Sequence, residues 1–167
     1  MPTDFGTLVR RDHVDLQKEL TDLLDPRATP AQLGESLDGV RLGLIAHAEA
    51  TDIVLGRFDA IAALEPVVAL ARAAHLAQEG ALSALVSARP GTPIWRDRAL
   101  HLRDLVHHHA IQEEVELVPA LRQHARQIYD SAAGAFATER LRQLAMLQPS
   151  VPVCLADVFH VHTRVMV

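Results

Sequence analysis

Cysteine, lysine and aromatic residues are all scarce in this chain. Cys154 is the only cysteine among 167 residues, so no internal disulfide can form and a cysteine-based zinc site is excluded. Lys18 is the only lysine, and the other basic side chains are arginines, which reflects compositional bias rather than function. Net charge is −5 with histidine neutral, which gives no electrostatic case for nucleic acid or an anionic membrane as a partner. No stretch of eighteen apolar residues occurs, so no transmembrane helix is expected. The opening Met-Pro-Thr-Asp-Phe-Gly carries no basic region followed by an apolar run; no signal peptide is expected, and a cytoplasmic location follows by default.

What the chain has in quantity is alanine, leucine and histidine. Nearly half the residues are apolar, but few are aromatic and β-branched runs are short. That balance predicts helices packed through aliphatic side chains, in one domain large enough for a proper core. Ten histidines are many for this length, and histidine both binds metal and titrates near neutrality.

Helical spacing of apolar residues divides the chain. Thr3 or Asp4 caps a first helix whose inner line reads Phe5, Val9, His13, Leu16, Leu20, Leu23. Asp25-Pro26 to Pro30 ends it, and Thr29-Pro30 starts a second helix with the line Leu37, Val40, Leu44, His47, Thr51, Phe58. Gly34, Gly39, Gly43 and Gly56 predict irregular or bent ends for it. A third helix, from about Glu65 to Ser87, has the line Val68, Ala71, His75, Glu79, Leu82, Val86. Arg89 to Pro93 is a loop, and Thr92 caps a fourth helix expected to reach about Gln127 with a bend at Pro119. Its stripe runs Leu102, Val106, His109, Glu113, Leu117, Ala120. Tyr129 to Leu147 reads as a fifth helix interrupted by Gly134, followed by an apolar tail.

The expected architecture is therefore all-α: an up-down-up-down four-helix bundle over residues 1–128, with an additional C-terminal helix and tail over 129–167 that packs on the bundle or on a partner. In such a bundle the helix midpoints share one level. His13, His47, His75 and His109 each interrupt an apolar line near mid-helix, so four helices bring one imidazole each to a single layer. Glu79 and Glu113 lie one turn from their histidines, on the same face. A buried carboxylate without a partner costs several kcal/mol, roughly, or takes up a proton. A metal ion removes that cost. Six mixed ligands are too many for one tetrahedral zinc; they suit two iron or manganese ions bridged by carboxylate and by water or oxide. Core histidines can also satisfy one another or a buried glutamate without any ion. A ferritin-like carboxylate enzyme would want Glu-x-x-His on two helices, and the nearest match is Asp104-x-x-His107.

Four segments carry a resemblance: Arg11-Asp12-His13-Val14-Asp15-Leu16, Ile45-Ala46-His47, Ala73-Ala74-His75, and His109-x-x-x-Glu113-Glu114-Val115-Glu116-Leu117-Val118-Pro119-Ala120-Leu121. Over about residues 5 to 124 the chain resembles the hemerythrin-like, or HHE cation-binding, domain family. The resemblance implies a non-haem di-iron centre in a four-helix bundle. It also implies a small ligand, dioxygen, nitric oxide or peroxide, that is bound, sensed or consumed, which leaves room for an enzymatic activity. The family usually has His-x-x-x-Glu on its second helix; here that position is Thr51, and Asp52 is turned away by about 100°. Glu79 is the expected substitute. The ligand set expected on this basis is His13, His47, His75, Glu79, His109 and Glu113, joined by Asp52 if the second helix is locally wound differently, a carboxylate-rich site that would favour redox turnover. If Thr51 has cost the site its metal, the bundle would instead be a regulatory module, with the fifth helix and tail as a partner or homodimer surface. Glu114 is expected to be solvated or to orient a ligand histidine. His101, His107, His108, His124, His160 and His162 are expected at the surface or at boundaries.

Overall fold

The structure is a computed structural model and describes residues 3–147. The apolar tail, with Cys154, His160 and His162, lies outside the described residues. Among those described there is no strand, and no helix is long and apolar enough to cross a membrane. Helix α1 spans Phe5–Leu23, and Asp4 caps it by accepting from the Thr7 N–H at 2.8 Å. Helix α2 spans Pro30–Leu55 and opens with a capping box between Thr29 and Gln32. A short 3₁₀ turn, Ala62–Leu64, leads into α3, Glu65–Val86. The loop before α4, Pro93–Gln112, turns on Gly91, whose φ of 79° suits glycine.

Helices α1 to α4 pack as a bundle in which each contacts two others, in the cyclic order α1, α2, α3, α4. Helix α2 runs unbroken through Gly34, Gly39 and Gly43 and stops at Leu55, with Gly56 as its C-cap; Gly39 and Gly43 serve a packing purpose. A Cβ at Gly43 would stand 2.8 Å from Leu16 Cδ2, and one at Gly39 would stand 2.8 Å from Glu19 Oε2. These two positions, one turn apart, let α1 lie close against α2.

The fourth helix departs from regular geometry earlier than Pro119. Glu113–Leu117 forms a π-helical turn between α4 and α5, Val118–His124. Pro119 has no N–H for the carbonyl one turn back, and the wider turn lies directly before it. The chain then breaks twice. Helix α6 spans Arg126–Asp130 and α7 spans Ala132–Leu147, so the expected fifth helix is split at Ser131 and runs unbroken through Gly134. Helix α7 packs along α2 and also touches α1.

Buried apolar side chains form two separate clusters. One gathers Phe5, Val9, Val54, Leu117, Leu121 and Phe136 with their neighbours; the other gathers Leu16, Leu44, Leu82, Trp95, Leu102 and Val106 with theirs. Every bundle helix passes from one cluster to the other across its buried histidine. On α1 the crossing lies between Val9 and Leu16, on α2 between Leu44 and Ala50, and on α3 between Ala71 and Ala81. On the fourth it lies between Val106 and Leu117. The polar layer is thus enclosed above and below by aliphatic packing.

Candidate metal centre

His13, His47, His75 and His109 are all buried, with at most 6% of their surface exposed, and Glu113 is 1% exposed among them. Their Nε2 atoms converge on its carboxylate. His13 and His47 approach Oε2 at 3.0 and 3.2 Å. His109 and His75 stand 3.5 and 3.8 Å from Oε1, outside hydrogen-bond geometry. The two oxygens therefore divide the imidazoles into two pairs. Ring centroids repeat the division: 5.0 Å within His13–His47 and 4.6 Å within His75–His109. The pairs measured across the divide are 5.8, 6.3 and 6.5 Å apart.

Behind the rings lies a second set of carboxylates. His13 donates through Nδ1 to Glu114 Oε1 at 2.8 Å, and His75 through Nδ1 to Asp52 Oδ1 at 3.1 Å. His47 Nδ1 lies 3.5 Å from Asp12 Oδ2, a charge contact outside hydrogen-bond geometry, and among the described residues His109 Nδ1 has no partner. An imidazole held by a carboxylate at Nδ1 presents its Nε2 lone pair on the other side, which is the arrangement metal-binding histidines use. The π turn matters here. Glu113 and Glu114 are adjacent in sequence, yet both reach the same ring, one at each nitrogen of His13.

Electrostatics inside the layer are those of a buried charge with opposite charge around it. Burial opposes ionisation of Glu113, but the His47 charge and the surrounding imidazole N–H groups outweigh it and hold its carboxyl well below the usual range. Burial likewise opposes a charge on His47; Glu113 and Asp12 overcome it and push the imidazole up to about 9. His109 is lowered, because burial dominates its partners. Asp12 is held low despite burial, by His47 beside it and by its bond to Arg140.

The donor set fits a metal ion on two grounds. Among the described residues His75 Nε2, His109 Nε2 and Glu113 Oε1 are buried without a hydrogen-bond partner, and buried polar atoms are rarely left so. Furthermore, one ligand atom from each of His47, His75, His109 and Glu113 lies within 4.8 Å of the others. Ligands at about 2.0–2.2 Å from a common ion stand roughly 3.0–3.6 Å from each other, close to the N···O separations seen here.

No protein-family model, curated protein or solved structure matches the chain. What the coordinates support is an all-helical bundle with a buried His/Glu group that can bind a metal.

Of the six residues expected from sequence, five come together and Glu79 does not. It is exposed on α3, and the inward position one turn from His75 is taken by Gln78, 3% exposed. Residues three and four positions on from His75 both fall near its face; the packing of α3 turns the i+3 residue inward. The inner ring therefore has one carboxylate and is rich in imidazole, not in carboxylate. Thr51 is fully buried with its hydroxyl unpartnered. Asp52 serves His75 from outside, and Glu114 serves His13 as an orienting group. Asp12 and Gln78 were not expected. Asp12 directly precedes His13, but its partner Arg140 lies 128 positions away, so no local spacing marks it. His101, His107, His108 and His124 are exposed.

Proposed function

We propose that this chain is a non-haem di-iron protein of the hemerythrin-like kind, on an up-down-up-down four-helix bundle with α6 and α7 added. Its function would be to bind or reduce a small oxidant such as O₂, peroxide or NO. The carrying observation is the division of four buried imidazoles by one carboxylate. Each oxygen of Glu113 with its own histidine pair would offer two nitrogens and one oxygen to an ion, with Glu113 common to both sets. Iron, or manganese in its place, accepts such mixed sets. When bound, it supplies the redox and ligand-binding chemistry that these side chains lack.

The chain's own part is to hold and shield. Glu114 and Asp52 fix two imidazoles in orientation by hydrogen bonds, and Asp12 sets its charge beside a third. The two apolar clusters keep bulk water from the layer. A groove of about 620 Å³ between α2 and α3, lined by Asp52, His75 and Gln78 among others, gives a small oxidant a route to the outer side of the ring. Four neutral imidazoles against one carboxylate keep the net ligand charge low, which favours the ferrous state more than the carboxylate-rich set would.

Metal counting with an optical spectrum tests the reading. Protein purified from iron-replete cells is expected to carry two irons per chain and to absorb in the near ultraviolet and visible. His13→Ala and His109→Ala should each lower the count. One ion per chain would overturn the paired site, and well under one with a featureless spectrum would overturn the function.

A second reading rests on the contacts of His13 and His47 with Glu113 at 3.0 and 3.2 Å. These can close as a proton-bridged cluster without metal, and the bundle would then be a regulatory or interaction module. Metal-free protein whose melting is unchanged by added iron supports that alternative.

A further inference from the structure

The helix outside the four-helix ring reaches the histidine layer. Arg140 on α7 places its Nε 2.7 Å from Asp12 Oδ2 and 2.6 Å from Oδ1. Asp12 is 6% exposed, and the same Oδ2 lies 3.5 Å from His47 Nδ1. Phe136, one turn earlier on α7, sets its ring edge-on to His47 at 6.1 Å between centroids. One helix thus meets a single imidazole of the ring twice, once through a carboxylate and once through an aromatic face. All three outer carboxylates, Glu114, Asp52 and Asp12, come from the bundle; Asp12 is the one held in turn from α7.

From these contacts we infer that Arg140 is a positioning residue for the metal centre, acting through Asp12 on His47. The inference rests on the reading of the histidine layer as a metal site. A carboxylate buried against a histidine has two uses for its oxygens. Arg140 Nε hydrogen-bonds Asp12 Oδ2 and stands as close to Oδ1, a charge-assisted contact that restrains the carboxylate and so the direction in which Oδ2 faces His47. Losing Arg140 leaves Asp12 in place but free to rotate about its χ angles, and the His47 ring loses its fixed orientation. Orienting partners of this kind typically carry 10- to 100-fold in metal affinity. The alternative is that Arg140 merely fastens α7 and neutralises a buried charge. The two differ in what the metal reports.

Cobalt(II) serves as the probe, because its visible spectrum reads the ligand field directly. Full-length wild type, Arg140→Met, Arg140→Lys and Arg142→Met are titrated with cobalt(II), and each is unfolded by urea in the presence of a chelator. Arg142 sits on the same helix but pairs with Glu139, so it controls for the loss of a cation from α7. The expected result is about a 10-fold or greater loss of cobalt affinity with a changed visible band in Arg140→Met. A smaller loss with a partly restored band is expected in Arg140→Lys, and wild-type behaviour in Arg142→Met. If Arg140→Met does not fold, Arg140→Lys, which keeps the charge and loses the planar guanidinium, carries the test alone. Unchanged affinity and spectrum in a folded Arg140 variant, whatever its urea midpoint, would overturn the inference and leave the metal site standing. A wild type that binds neither cobalt(II) nor iron would overturn both.

Discussion

Glu113 holds its charge where no water can solvate it, and four imidazoles are arranged to meet that charge. In metal-free protein Glu113→Gln removes the anion and strands the protonated His47. A loss of about 3 kcal/mol is expected from urea unfolding with a chelator present, because breaking a buried ion pair leaves its partner uncompensated. The pH dependence of the metal-free form follows from the same residues. His47, raised to about 9, contributes stability that is full below its ordinary 6.5 and is lost as pH climbs toward 9. His109 is lowered, so its contribution is full above 6.5 and fades below; Glu113, also lowered, fades below about 4.5. Melting temperature measured with chelator should therefore peak near pH 6.5 and fall on both sides. A metal competes with the proton on His47, so metal affinity should instead keep rising up to about pH 9. The four histidines were legible in the sequence because each stands where an apolar stripe wants leucine. The choice between Gln78 and Glu79 was not, since both lie near the His75 face and only the neighbouring helices decide which one turns in.

At the scale of single elements, α2 combines two kinds of glycine. Gly43 is pressed against Leu16, whereas a Cβ at Gly34 would meet nothing within 4 Å. Gly43→Ala should cost about 1–3 kcal/mol by forcing α1 away. Gly34→Ala should stabilise by up to about 1 kcal/mol through helix propensity alone. Thermal melts of the two variants should move in opposite directions. Sequence spacing located the starts of the long helices well, because Asp4, Thr29 and Thr92 cap them by local hydrogen bonds. It did not locate the π turn at Glu113–Leu117 or the break at Ser131, which depend on what the segments pack against. Gly39 and Gly43 misled for the same reason: their role lies in a neighbouring helix, not in their own.

Across the whole molecule, the polar layer separates two apolar clusters, and an ion bound there ties all four bundle helices together. Metal at about 100 times its dissociation constant should stabilise the fold by about 2.7 kcal/mol. For a chain of this size that raises the melting temperature by roughly 5–10 °C. Differential scanning calorimetry with and without added iron measures it, and His75→Ala should abolish the increment. The bundle itself was readable from the period of the apolar stripes. The docking of α7 on α1 and α2 was not, since α7 meets them through Phe136 and Arg140, whose partners lie far back in the chain.

The enclosure of that layer has a kinetic side. Its donors are spread from position 13 to position 113 and face one another only after both aliphatic slabs have closed. An ion that binds there would enter a finished interior rather than nucleate the fold as it does in a small zinc module. Loading and release would then wait on the bundle parting beside the α2–α3 groove, and the residence time of the ion would follow how often it does.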